Sequence, residues 1–281
     1  MNIQITADSI CDLSPDLLEK FSIRIVPLYV ILGEKAYKDL IEIQTPQLFE
    51  AVEKEGLKAS TSAVSEHDYI EFFSSFTAQG KEVVHICISD EMSASYQNAV
   101  SAAKKIPNVY IVDSRNVSTG TGLLAIRATE LVATGLPAVE VQQRLIAAVP
   151  LVETGFVIDT FDYLRRGGRV SSMTAFGGGI LKIKPSLEVK DGKLGAAKKY
   201  RGKIENVLPE YVIDRLTNRD DIDLKRVFIT HTFPDRSVPD QIAESVKSLM
   251  PFEEVYVTDA GCVISCHAGP KVLGILFMRK A

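Results

Sequence analysis

Along the first 150 residues the apolar positions switch between two periods. NIQITAD (2–8) places Ile3 and Ile5 on one face, as a strand does, and Ser14-Pro15-Asp16 then supplies a cap, an N1 proline and a first-turn acid for a helix. IRIVPLYVIL (23–32) is an unbroken β-branched run that predicts a strand or hairpin, turning at Gly33-Glu34-Lys35 before AYKDL. Pro27, which lacks an N–H, pushes it toward a sheet edge. TPQLFEAVEKEG (45–56) reads as a helix with Thr45 as cap and Pro46 at N1. SEHDYIEFFSSFTAQG (65–80) is amphipathic through Tyr69, Phe72, Phe73 and Phe76, with Ser65 as cap and Gly80 as stop. EVVHICIS (82–89) and NVYIVDS (108–114) are strands that each lead into a helix; after the first, Tyr96, Val100 and Ala103 share one helical face. Strand alternating with helix predicts a parallel sheet covered on both faces.

The pattern changes near residue 156. GFVIDTFDYL runs into the glycine-rich LRRGGRVS (164–171) and AFGGGI (175–180). PSLEVKDGKLGAAKKY (185–200) centres on Asp191-Gly192, the chemistry of a tight hairpin. RVFITH and EVYVTD are strands flanking a helix that begins near Val238, and KVLGILFMR is a final strand. Hairpin and crossover signals together predict a mixed sheet. The expectation is an α/β protein of two domains, residues 1–155 and 156–281, packed against each other.

Bulk properties narrow the function. With 281 residues and 46% hydrophobic content the chain can bury a substantial core, and 32 basic against 36 acidic residues give a net charge of −4. A dedicated nucleic-acid binder would carry a basic excess. MNIQITADSICDLS has no basic stretch followed by an apolar one, so no secretory signal is expected. The most apolar region, CVISCHAGPKVLGILFM, is interrupted by His267, Pro270 and Lys271 and does not predict a membrane span. Four scattered cysteines make no disulfide framework. A soluble, cytoplasmic protein is expected.

In parallel α/β sheets ligands bind beyond the carboxyl ends of the strands, where helix N-termini also point. This chain places Asp8-Ser9, Ser60-Thr61-Ser62, Ser93 with Ser95, and Ser114, Ser118, Thr119 and Thr121 at such positions. Each hydroxyl alone is accounted for by helix capping, and Ser65 and Ser114 are left there. As a cluster they suit an anion of limited charge such as a carboxylate, which hydroxyls and helix N-termini can hold without lysine or arginine. No G-x-x-x-x-G-K-[ST] and no G-x-S-x-G occurs. GTGLLA (120–125) matches G-x-G-x-x-A, but seven residues separate it from its strand and no acid follows at ribose distance.

In the second half Gly167-Gly168 precedes Arg169, whose guanidinium suits a phosphoryl group or an acidic partner surface; Arg165 and Arg166 read as a solvated basic face. His267, in ISCHAGPKVLG, stands before Gly269-Pro270 and a strand, at a turn expected to wall a pocket. Cys262, Cys266 and His267 match no common zinc spacing, so no metal is expected.

These segments, taken in order, carry a resemblance. TADSICDLSP, IVPL, YKD, STSAVS, MSASYQNA, VDSRNVSTGTG, LRRGGRVS, KPSLEV and HAGPKVLG together resemble the DegV family, bacterial fatty-acid-binding proteins that serve as acyl-carrying subunits of fatty acid kinase. The resemblance implies an N-terminal α/β/α domain with a parallel sheet and a C-terminal α/β domain with a mixed sheet. It implies an acyl chain in an apolar tunnel with its carboxylate near the domain junction. By motif, Thr61, Ser62 and Ser93 would bind the carboxylate, with His267 beside it, and Arg169 would lie where the kinase catalytic subunit approaches. Ser95 would be an ordinary first-turn residue. The expected role is non-catalytic: a long-chain fatty acid as ligand, no cofactor, and an ATP-dependent kinase as partner. Ser93-Ala94-Ser95-Tyr96 replaces the family's S-G-T-Y, Thr61-Ser62-Ala63-Val64-Ser65 its T-S-Q-P-S, and His267-Ala268-Gly269-Pro270-Lys271 its H-x-G-P-G; the hydroxyls and the histidine are kept. Two other roles stay open. One is a small-ketone enzyme of the dihydroxyacetone-kinase-like fold; the other is a lipid-bound regulatory module docking through Arg165, Arg166 and Arg169.

Overall fold

The computed structural model describes residues 2–168 and 183–281. The first half runs β1 (Ile3–Asp8), α1 (Pro15–Lys20), β2 (Arg24–Val26), β3 (Tyr29–Leu32), β4 (Lys35–Lys38), α2 (Thr45–Glu53) and β5 (Ala59–Ser62). It continues with α3 (Glu66–Thr77), β6 (Glu82–Cys87), α4 (Ser95–Ala103), β7 (Val109–Asp113), α5 (Thr119–Ala133) and α6 (Ala138–Ala148). Four of these strands form an all-parallel sheet in the order β2-β1-β6-β7. Pro27 divides the apolar run at 23–32. Before it, β2 is the edge strand of the parallel sheet; after it, β3 joins β4 and β5 in a separate antiparallel sheet. A proline cannot donate to a ladder, so the chain changes sheets where the hydrogen-bonding row is broken.

The second half runs β8 (Val152–Val157), α7 (Asp162–Gly167), β9 (Ile183–Lys190), β10 (Lys193–Arg201), α8 (Ile204–Leu216), β11 (Ile222–His231), α9 (Ser237–Leu249), β12 (Glu254–Asp259), α10 (Cys262–Ala268) and β13 (Leu273–Arg279). Its six strands lie in the order β10-β9-β8-β13-β11-β12, antiparallel except for the β11–β12 pair. The hairpin at Asp191-Gly192 has both residues at positive φ (50° and 78°), the primed turn that matches strand twist.

Helix α5 is the centre of the molecule. Leu123, Leu124, Ala125 and Ile126 are all fully buried, in one cluster with β1 and β6 on one side and Phe228 and Leu276 of the mixed sheet on the other. Its glycines allow that approach: a Cβ on Gly120 would stand 2.3 Å from Thr154 Oγ1, and one on Gly122 2.7 Å from the Cys11 carbonyl oxygen. The G-x-G-x-x-A match is thus a packing feature. Helix α10 crosses the other way: Cys262, Val263 and Cys266 pack into the cluster formed by the small sheet and α2, α3 and α4. Thr45 is not the cap of α2. Gln47 accepts from the Gln44 N–H (2.9 Å), while the Thr45 hydroxyl donates to the Ala260 carbonyl (2.8 Å) and helps tie α2 to α10.

Candidate functional site

The carboxyl ends of the central strands and the start of α10 enclose a cavity of about 320 Å³. On its wall stand Thr61 and Ser62 from β5, Ser93 before α4, and His267 from α10. Thr61 Oγ1 lies 2.7 Å from His267 Nε2. Met92, Ile264, Leu164, Phe156, Leu194 and Leu276 line it as well. The cavity therefore combines hydrogen-bond donors for an anion with hydrocarbon walls.

The hydroxyls expected at the strand ends do not all arrive. Thr61, Ser62, Ser93 and Ser118 line the cavity. Ser9 instead donates to Asp39 (2.7 Å) and receives the Leu28 N–H (3.1 Å). Thr119 pairs with Thr230 (2.6 Å), and Ser114 bonds the Asn116 carbonyl and Thr121 (3.1 Å each) rather than capping a helix. Ser65 does cap α3, accepting from Asp68 N–H (3.1 Å). Ser93 receives the Ser95 N–H (3.2 Å), so one hydroxyl both orders the start of α4 and faces the cavity. Ser95 is more than a first-turn residue: fully buried, it sits 3.0 Å from Ser93 Oγ and accepts from Val64 N–H (3.4 Å), joining α4 to the chain beyond β5. Arg169 lies outside the described residues. Arg165 and Arg166 are exposed on α7, the former 3.6 Å from Asp162.

His267 is placed by two devices. A Cβ on Gly167 would lie 2.2 Å from His267 Nδ1, so glycine is what lets the end of α7 rest on the imidazole. At the other end of α10, two buried carboxylates hold the helix N-terminus. Asp12 accepts from Gly261 N–H (2.9 Å) and the Ser118 hydroxyl (2.5 Å); Asp39 accepts from Cys262 N–H (2.9 Å). Orphan N–H groups at a helix start attract carboxylates. Burial nevertheless pushes Asp12 up to about 8, with the Asp39 charge adding to the rise, and burial raises Asp39 as well. Ser118, on the cavity wall, has φ 57° and ψ −147°, a backbone region nearly confined to glycine, and its bond to Asp12 holds it there.

Sequence reasoning missed Thr154, Thr230, His231 and Thr232, which also line the cavity. The HTF after the β11 run was the available signal. His231 Nδ1 accepts from Phe233 N–H (3.2 Å), its Nε2 lies 3.5 Å from Asp259, and burial lowers its pKa. Among the described residues one cluster has metal-ligand chemistry, Asp8, His85 and Cys87, all buried. It does not fit an ion. Asp8 receives Tyr69 Oη (2.5 Å), His85 Nε2 (3.1 Å) and Ile88 N–H (2.9 Å), His85 Nδ1 meets Thr6 Oγ1 (2.9 Å), and burial keeps the Cys87 thiol protonated. No helix among the described residues is long and apolar enough to cross a membrane.

Comparison with known proteins identifies the family. A family model described as "Uncharacterised protein, DegV family" matches residues 2–280. A DegV domain-containing protein of Caldanaerobacter subterraneus is 30% identical, covering 99% of both chains. Among solved structures, a fatty-acid-binding DegV family protein from Thermus thermophilus superposes with a TM-score of 0.89 at 31% identity, covering 100% of both chains. A stearic acid-binding protein from Eubacterium ventriosum gives 0.87 at 28% identity, over 99% of this chain and 98% of that one.

Proposed function

Since the chain belongs to the DegV family, we propose that it binds a long-chain fatty acid, with the carboxylate at Thr61, Ser62, Ser93 and His267 and the acyl chain along Phe156, Leu194 and Leu276. The observation that carries this reading is a single cavity whose walls join the hydroxyl–imidazole group of Thr61, Ser62, Ser93 and His267 to a larger set of apolar side chains. Burial of each CH₂ contributes about 0.8 kcal/mol, so about 14 of them offer about 11 kcal/mol before ordering costs, and the head group need only orient the ligand. Neutral donors suffice for that. The solved relatives named above, one fatty-acid-binding and one stearic acid-binding, support the ligand class.

The wider role rests on the resemblance to the family, and a half-exposed Thr61–His267 pair is compatible with it. The protein presents the carboxylate to a separate ATP-dependent fatty acid kinase subunit, which forms the acyl phosphate for phospholipid synthesis in the cytoplasm. It needs no cofactor and performs no chemistry itself, and family resemblance assigns Arg169 to kinase contact. Thr61 and His267 do have the geometry by which an imidazole activates a hydroxyl. Turnover of acyl esters by the purified chain would therefore overturn the non-catalytic role.

The deciding experiment is native mass spectrometry of the purified protein, followed by denaturation and organic extraction. A stoichiometric adduct that extracts as a fatty acid is expected. An unliganded protein that also refuses added fatty acids would reject the carrier reading. For the partner, lipid-loaded protein mixed with kinase and ATP should yield acyl hydroxamate on trapping with hydroxylamine, and charge reversal at Arg169 should abolish it while lipid stays bound.

A further inference from the structure

The tip of the β9–β10 hairpin stands beyond the sheet that carries it. β8 pairs with β9 only from Ser186 to Glu188, and β10, at the sheet edge, pairs with β9 alone among the described residues. The ladder between β9 and β10 also slips between Ala196 and Lys199, an irregularity that bends the strand where it falls. The two interruptions meet at one level, since Ala196 is the partner of Leu187. Past that level, residues 189–195 continue as a two-stranded ribbon, an arrangement that is marginal by itself. Behind the ribbon lies space: Val189, Lys190, Asp191 and Gly192 border a cleft of about 600 Å³. In front, Leu194 lines the lipid cavity and packs with Leu164, Leu187 and Val272.

Polar links to the first half of the chain hold the tip in place. The fully buried Ser89 Oγ donates to the Gly192 carbonyl (2.8 Å), and Arg115 donates to the Asp191 carbonyl. Lys193 pairs with Glu91 (3.3 Å), which Arg115 also approaches (3.7 Å). The side chains of Glu91, Arg115 and Lys193 are 37, 37 and 61% exposed, and ion pairs so exposed contribute little each. Ser89 connects this fastening to the head-group residues. Its carbonyl accepts from Met92 N–H (3.0 Å) and Ser93 N–H (3.2 Å), and its hydroxyl accepts from Glu91 N–H (3.3 Å). Met92 and Ser93 both line the cavity. The residue that grips the hairpin therefore also shapes the loop that carries Ser93.

We propose that the hairpin tip is a strap across the lipid cavity, latched by Ser89, Arg115 and Lys193, which lifts to let the acyl chain pass. This strap presupposes the fatty-acid site proposed above. Lifting bends the ribbon at the irregularity, exchanges the latch bonds for bonds to water and draws Leu194 off the cavity wall. The cleft behind gives the ribbon room to move without displacing core side chains.

The test is stopped-flow fluorescence with cis-parinaric acid, after equilibrium titration has established that the parent chain binds it. Ser89→Cys combined with Gly192→Cys places two thiols within bridging reach, because a Cβ on Gly192 stands 2.6 Å from Ser89 Oγ. The four native cysteines are buried, so mild oxidation joins the strap to the loop. The oxidised variant should take up and release the probe at least about tenfold more slowly than the same protein reduced with dithiothreitol, a comparison that cancels any strain from the substitutions. Lys193→Glu, on an exposed side chain, sets like charges together at Glu91. It should speed uptake and release alike by about two- to fivefold and leave the equilibrium affinity nearly constant. Lys247→Gln on α9 should change neither rate. Equal rates in the oxidised and reduced forms, or a Lys193→Glu effect confined to release, would overturn the strap while the fatty-acid site stands. Failure of the parent to bind the probe would reject the site itself, and the strap with it.

Discussion

Asp12→Asn should make the protein more stable at neutral pH, by an amount that grows with pH. The Asp12 carboxyl is fully buried beneath the start of α10, with Asp39 and Asp259 as further negative neighbours, and burial pushes it up to about 8 from an ordinary 3.8. The sign follows from proton binding. Between the two values the native state keeps the proton that the unfolded chain has lost, so stability falls as pH rises. From pH 5 to pH 7, two units at 1.36 kcal/mol each, the cost is about 3 kcal/mol, and it levels off only above the folded value. Asparagine can still accept from Gly261 N–H through its oxygen and can donate to Ser118 through its nitrogen, so it removes the titration without removing the contacts. The assay is urea denaturation of both proteins at several pH values between 5 and 9. The difference between variant and parent isolates Asp12 from every other titrating group. It should widen by about 3 kcal/mol between pH 5 and 7. Parallel profiles would show that Asp12 is ionised in the folded protein and that α10 is anchored by a charge.

The site makes further predictions. Thr61→Val should lower fatty-acid affinity by about 1.5–3 kcal/mol, the worth of a hydrogen bond to a charged group, measured by displacement of a fluorescent fatty acid; unchanged affinity would remove Thr61 from the head-group site. Gly167→Ala places a methyl against His267 Nδ1 and should displace the imidazole from Thr61, costing about tenfold in the same assay while the melting temperature barely moves. Leu194→Trp narrows the cavity and should shift the extracted acids to shorter chains on mass spectrometry. Gly192→Ala forces alanine to a φ of 78° and a Cβ 2.6 Å from Ser89 Oγ, and should cost about 1–2 kcal/mol in urea denaturation.

Much of this protein was legible in its sequence because the signals are local. The period-two and period-3.6 runs, the Ser14-Pro15 and Ser65 helix starts and the Asp191-Gly192 turn each act within a few residues, where backbone sterics and hydrogen bonding decide the outcome. Strand-end chemistry offered a wide set of hydroxyls, the family resemblance singled out Thr61, Ser62, Ser93 and His267 from it, and the fold brings all four to one cavity. Other features depend on partners far along the chain. Whether a strand-end hydroxyl faces the cavity or turns aside, as Ser9 does toward Asp39, depends on a residue 30 positions away. The G-x-G-x-x-A spacing of α5 already fits a nucleotide site poorly in sequence, but the reason for its glycines, close packing against Thr154 and Cys11, exists only in the fold. Asp12 and Asp39 carry no local mark of their role, because it exists only once the chain brings residue 261 over residue 12. Sequence therefore determined the elements and supplied the hydroxyls and the histidine. Tertiary packing alone decided which hydroxyls reach the cavity and which carboxylates are buried, since burial and long-range hydrogen bonds belong to the assembled fold.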